Sequence, residues 1–182
     1  MKLSLFLAPL ALAAGVVALA TPKRTDCQQG CLSQAQAESI ISRYISILEH
    51  TDVAAANATA QALLDPAYTE TSDSILSLEG QPLGTVTFQG KDGYIEGVLN
   101  SPPVEGITTI EILVAGCTKI LWYWNFLGIG TGEYEVKGFN LFTITPSLQI
   151  SAVDLEFNSI AWGLNTGYQV IPPADGGAPT RR

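Results

Sequence analysis

The sequence predicts an α+β fold, with helices packed on an antiparallel sheet. Three observations lead there. Apolar residues recur at three- and four-residue spacing in the first third of the chain, the period of a helix. From Ile107 onward they alternate, the period of a strand. Short turns separate those later runs, so neighbouring strands run in opposite directions.

The 182-residue chain begins with Met1-Lys2 and an apolar run from Leu3 to Ala20 that ends in Ala18-Leu19-Ala20. A basic start, a short apolar core and a small-x-small ending describe a secretory signal peptide over residues 1–20. Pro9 and Gly15 interrupt the run, and no later segment has the length and apolarity of a span. The expected location is outside the cell or in the secretory-pathway lumen, with no membrane attachment after cleavage. Lys23-Arg24 is a dibasic pair of the kind kexin-type proteases cut, which puts the mature start near Thr21 or Thr25. Residues 21–30 read as a short propeptide or linker. Removing residues 1–24 takes away Lys2, Lys23 and Arg24 and leaves six basic against 17 acidic residues, net −11. With no basic patch, such a chain does not bind a phosphate backbone, which excludes nucleic acid as a partner.

Ser33 followed by Gln36 is a capping box. Ala37, Ile40, Ile41, Tyr44, Ile45 and Leu48 continue it as an amphipathic helix of about four turns. Thr51 or Asp52 caps a second helix from Val53 to Leu64, which Asp65-Pro66 stops. Tyr68 to Leu78 and Gly84 to Phe88 read as extended. Lys91 to Asn100 reads as a short helix with Tyr94, Ile95 and Val98 or Leu99 facing in, ended by Ser101-Pro102-Pro103. Four strands follow: Ile107 to Ala115, with Ile110, Ile112 and Val114 on one face; Cys117 to Phe126; Glu133 to Ile144; and Leu148 to Ile160. Residues 169–182, rich in Pro and Gly, are predicted to be disordered.

Within the second of those strands, Ile120, Trp122, Trp124 and Phe126 share one face. Two indoles two residues apart make a large, flat, apolar wall, which fills a core or holds a small apolar molecule. Gly128-Ile129-Gly130-Thr131-Gly132 is not a nucleotide loop, because it joins two strands instead of opening a helix. No His, Cys and acid cluster suggests a metal, and no cofactor is expected. Of the three cysteines, Cys31 pairs best with Cys117, closing a long loop between the first helix and a central strand; the rival is a tight Cys27–Cys31 loop. Asn57-Ala58-Thr59 is the only glycosylation sequon. His50, the only histidine, reads as a solvated residue at a helix end.

Several segments carry a resemblance: Cys31-Leu32, Thr71-Ser72-Asp73-Ser74-Ile75, Pro82-Leu83-Gly84-Thr85-Val86-Thr87-Phe88, the glycine turn at 128–132, and Glu156-Phe157-Asn158-Ser159-Ile160-Ala161-Trp162. Over about Cys31 to Leu164 the chain resembles a group of secreted fungal proteins with a nuclear-transport-factor-2-like domain. Its element order is similar to that of ketosteroid isomerases, scytalone dehydratase and polyketide cyclases. The resemblance implies a cone-shaped domain over residues 31–168, with a cavity between the helices and the concave face of a curved antiparallel sheet. It also implies pairing of two copies through the outer face, as this fold often does.

Members of that fold work by general acid–base catalysis, with a carboxylate moving a proton and buried donors holding an oxyanion. Asp154, Glu156 and Asn158 share one face of the last strand, bracketed by Ile150, Ala152 and Ile160, as a pocket floor would be. The alternative phase puts Val153, Leu155 and Phe157 inward, and alternation alone does not choose. Asp73 follows the second helix, where the resemblance implies a catalytic acid; equally, it suits a turn cap. Asn140, on an apolar strand face with Phe142 and Ile144, must bond a ligand or a neighbour. Tyr44, Tyr68 and Tyr94 are candidate phenol donors. The expected activity is a cyclase- or isomerase-like step on a small apolar fungal secondary metabolite. Glu156 or Asp73 would be the acid–base, and Trp122, Trp124, Asn140, Asn158 and Tyr94 would bind the substrate. The alternatives are a non-catalytic carrier and a secreted interaction protein. The histidines that scytalone dehydratase chemistry needs are missing.

Overall fold

A computed structural model describes residues 30–169. The signal peptide, the dibasic pair, Cys27 and the C-terminal tail lie outside the described residues. The first helix, α1 (Gln34–Glu49), starts where the capping box predicts: Ser33 Oγ accepts from Gln36 N–H, and Gln36 Oε1 accepts from Ser33 N–H. Its buried face is Ala37, Ile40, Ile41, Tyr44 and Ile47. Helix α2 (Val53–Leu63) is capped by Asp52 and ends as the chain turns into strand β1 (Leu64–Thr71).

The extended run expected to Leu78 stops at Thr71. Ser72 Oγ accepts from Ile75 N–H at 3.1 Å and starts a seven-residue helix, α3 (Asp73–Glu79), which Gly80 ends at φ 67°. Short strand β2 (Val86–Gln89) and helix α4 (Lys91–Leu99) follow. The remaining strands are β3 (Ile107–Ala115), β4 (Lys119–Phe126), β5 (Val136–Ile144) and β6 (Ile150–Phe157). The last strand is shorter than expected, because Asn158 accepts from Ala161 N–H and opens helix α5 (Ser159–Asn165).

All six strands form one sheet in the order β2-β1-β6-β5-β4-β3. Pairing is antiparallel except at β1–β6, which is parallel and makes the sheet mixed. A parallel pair needs a crossover, and here everything from α3 to β5 supplies it. Strand β3 carries a bulge between Thr109 and Glu111, which turns Ile110 out to solvent instead of onto the face of Ile112 and Val114. Cys31 and Cys117 form a disulfide that ties the start of α1 to the β3–β4 turn, and Leu32 N–H donates to Cys117 O beside it.

The inward face of the sheet is built in rows. Ile120, Phe142, Val153 and Glu70 lie in register across four strands, and the next row holds Trp122, Asn140 and Leu155. Trp124, Gly138 and Phe157 form the third. Helix α1 covers the first rows through Tyr44, whose ring meets Trp122 and Phe142 edge-on. The third row has no such cover, and the space beside it is the cavity.

Candidate functional site

A cavity of about 470 Å³ lies between the concave sheet face and helices α1, α3, α4 and α5. That volume suits a small organic ligand. Its walls are mostly apolar and aromatic: Phe88, Trp124, Phe126, Leu155, Phe157 and Trp162. Five buried residues with polar groups also line it: Tyr44 from α1, His50 at the end of α1, Glu70 from β1, Tyr94 from α4 and Asn140 from β5. Among the described residues, no Lys or Arg lines it.

Glu70 is 2% exposed. Tyr68, two residues earlier on the same strand face, donates from its phenol to Glu70 Oε2 at 2.7 Å. The Tyr94 phenol donates to Tyr44 Oη at 2.8 Å, and the Tyr68 and Tyr94 rings lie 4.9 Å apart. Burial raises the Glu70 carboxyl from its ordinary 4.5 to about 7, with the phenols of Tyr68 and Tyr44 pulling the other way. Burial also pushes all three phenols well above their ordinary range, and the charge of Glu70 adds to this. The phenols therefore stay protonated and act as donors.

Asn140 is also 2% exposed. Its Oδ1 accepts from Trp124 Nε1–H at 2.6 Å. Trp124 stacks on Phe126 at 3.8 Å between ring centres, so the indole lies flat along the wall. Trp122, expected beside it on the wall, does not reach the cavity. It is fully buried behind, with its Nε1–H bonded to Thr109 Oγ1 at 3.0 Å.

The last strand has the other phase from the one that made Asp154, Glu156 and Asn158 a pocket floor. Val153 opposite Phe142 and Leu155 opposite Asn140 take the inward positions, so the three polar residues are exposed. Glu156 accepts from the backbone N–H groups of Asp73 and Ser74 and from Ser74 Oγ, and so holds the start of α3. Asp154 accepts from Thr71 Oγ1, and Asn158 caps α5. Asp73 is exposed and accepts from Gly84 N–H at 2.6 Å, bracing a loop and not facing the cavity. His50 is not solvated. It is 7% exposed at the end of α1, borders the cavity, and has ring nitrogens 3.2 Å from Ile47 O and 3.1 Å from Ser101 O. Asn57 is exposed on α2.

Of the candidate residues, the structure therefore brings Tyr44, Tyr94, Trp124 and Asn140 together at one cavity. It adds Glu70, which the sequence reading did not single out. The signal was the pair Tyr68-Thr69-Glu70, a phenol and a carboxylate two apart on one strand face. Among the described residues no group of His, Cys, Asp and Glu is arranged to hold a metal ion, and no helix is long and apolar enough to cross a membrane.

A sequence profile of the NTF2-like domain matches residues 30–169. Among solved structures, a steroid delta-isomerase from Pseudomonas aeruginosa aligns with a TM-score of 0.51 at 15% identity, over 74% of this chain and 90% of its own. A SnoaL-like protein of unknown function from Burkholderia thailandensis aligns with a TM-score of 0.53 at 18% identity, over 70% of this chain and 98% of its own. At these identities the likeness is one of fold. No curated protein sequence matches significantly.

Proposed function

The chain belongs to the NTF2-like domain family, and from that premise we propose that its cavity binds a small, largely apolar carbonyl compound and moves a proton on it. One observation carries this reading: Glu70 is a buried carboxyl at the cavity wall whose proton affinity lies near neutrality. Such a group is close to half ionised at physiological pH, which suits a general base that must then return the proton. Glu70 takes a proton from the carbon next to the carbonyl. Negative charge moves to the carbonyl oxygen, and the Asn140 amide at the cavity wall donates to it. In a β,γ-unsaturated ketone Glu70 then gives the proton back to the dienolate at the γ-carbon, the carbonyl re-forms, and the double bond moves into conjugation with it. The protonated phenol of Tyr68 holds the carboxylate in place between the two steps. On the family resemblance, the wider setting is a cyclase- or isomerase-like step on a fungal secondary metabolite.

The test is exchange of the α-protons of 2-tetralone for deuterium, followed by NMR. Wild-type protein accelerates exchange, and Glu70→Gln lowers that acceleration by a factor of about 10²–10⁴. Unchanged exchange in Glu70→Gln would remove the residue from this role.

The Cys31–Cys117 disulfide supports an oxidising, secretory environment. Mass spectrometry of the protein from culture medium should find a chain starting near Thr21 or Thr25. Retention inside the cell with residues 1–20 intact would refute secretion.

A further inference from the structure

We infer that Trp124 is a positioning residue that decides which end of the Asn140 amide faces the cavity, so the site takes a ligand oxygen that accepts a hydrogen bond and discriminates against a group that donates one. This rests on the cavity being a ligand site, as proposed above, and specifies what the ligand must present there. An indole N–H is a donor and has no acceptor capacity. The amide atom 2.6 Å from Trp124 Nε1 must therefore be the oxygen, Oδ1. Turning the amide over would set N–H against N–H between two buried side chains. The nitrogen, Nδ2, is left at the other end with two protons. It has no hydrogen-bond partner among the described residues. Nor is it sealed away: the only fully enclosed side-chain polar atom without a partner among those residues is Asn125 Oδ1. Nδ2 therefore borders the cavity that Asn140 lines.

What holds the indole in that place is the absence of a side chain at Gly138. Gly138 pairs directly with Trp124 across β4 and β5. A Cβ added there would come within 2.6 Å of Trp124 Cη2 and of Phe157 Cβ. The order of cause runs from Gly138, to the lie of the Trp124 ring, to the orientation of the Asn140 amide, to the polarity of the ligand. A ketone oxygen or an enolate meets two donors. An N–H meets two donors as well and gains nothing for the water it gives up.

Three rigid tricyclic probes of nearly equal size separate these effects: 9-fluorenone, which accepts; carbazole, which donates; and fluorene, which does neither. Their affinities are measured by equilibrium dialysis on the full folded chain. Wild-type protein should bind fluorenone about tenfold tighter than fluorene, the worth of one hydrogen bond, and carbazole more weakly than fluorene. In Trp124→Phe the amide is free to turn, so fluorenone loses its advantage and carbazole gains relative to fluorene. A purely structural role for Trp124 would shift all three by the same factor, and that result overturns the inference. So does a wild-type series with no preference. If Trp124→Phe does not fold, Asn140→Leu decides instead: its fluorenone-to-fluorene ratio must fall to about one. If none of the three probes binds wild-type protein, the ligand-site reading fails and takes this inference with it. Equal binding of all three leaves the cavity reading standing and removes only the role of Trp124.

Discussion

Glu70→Gln is the sharpest physical test of the buried carboxyl. The substitution keeps the shape of the side chain and an oxygen for the Tyr68 phenol, and removes the charge. In the wild type, burial raises the Glu70 carboxyl from 4.5 to about 7. Each tenfold change in proton affinity corresponds to about 1.4 kcal/mol, so the rise amounts to about 3 kcal/mol. The direction follows from which state holds the proton. Below the ordinary carboxyl range both folded and unfolded chains are protonated, and the contribution of the neutral form to stability is fully present. As pH rises the unfolded chain ionises first, so stability falls, and by somewhat above pH 7 the contribution is gone. The neutral variant has no such slope. Guanidinium unfolding of both proteins with the disulfide intact, from about pH 3.5 to about pH 8, should give similar stabilities at the acid end. At the alkaline end the variant should be about 3 kcal/mol more stable. A difference that stays constant across this range would refute the claim that Glu70 is buried at the cost described.

Two further outcomes follow from the same geometry. Replacing Cys31 and Cys117 together by serine opens a loop with a sequence separation of 86, which in the chain-entropy account costs about 4–5 kcal/mol. Comparison of guanidinium midpoints measures it, and a loss below about 1 kcal/mol would mean that the bridge constrains little. Glu156→Gln removes the charge that holds the Asp73 and Ser74 N–H groups at the start of α3. It should cost about 1–2 kcal/mol in unfolding and leave the exchange of 2-tetralone untouched. Lost exchange in a normally folded Glu156→Gln protein would return the acid–base role to that residue.

The parts of the fold legible in the sequence are those with a local physical cause. Ser33 and Gln36 mark the start of α1 because a capping box is satisfied within four residues. Asp65-Pro66 ends α2 because the residue before proline leaves the helical region. Asn140 was visible because an amide among Val136, Phe142 and Ile144 must find a partner. The illegible parts depend on pairing between distant segments. The phase of β6 is set by Val153 meeting Phe142 and Leu155 meeting Asn140, and nothing within residues 150–157 reveals it. Helices α3 and α5 have seven residues each, less than the two turns over which a period of 3.6 shows itself. The bulge at Ile110 breaks alternation with one added residue, which a period-two reading cannot register. Glu70 escaped for a similar reason: between Thr69 and Thr71 it reads as part of a polar run, and only the packing of α4 on β1, with Tyr44 of α1 close by, buries it.

The contrast between Glu70 and Glu156 carries the case for function. The two carboxylates stand on paired strands, and the fold treats them in opposite ways. Glu156 lies outside, and its charge meets two backbone N–H groups and a hydroxyl at the first turn of α3, so it contributes to the fold where it stands. Glu70 lies inside, with phenols around it and, among the described residues, no Lys or Arg lining its cavity. Selection for stability alone would replace such a group by an apolar side chain, because burying a charge without a counter-charge is costly. A core already rich in Ile, Tyr and Trp would accept the change. Glu70 thus sits where burial raises its proton affinity toward neutrality at a cost in stability, on the same cavity wall as the Asn140 amide. A packing role accounts for neither the cost nor the placement, whereas the proposed proton transfer on a bound carbonyl compound accounts for both.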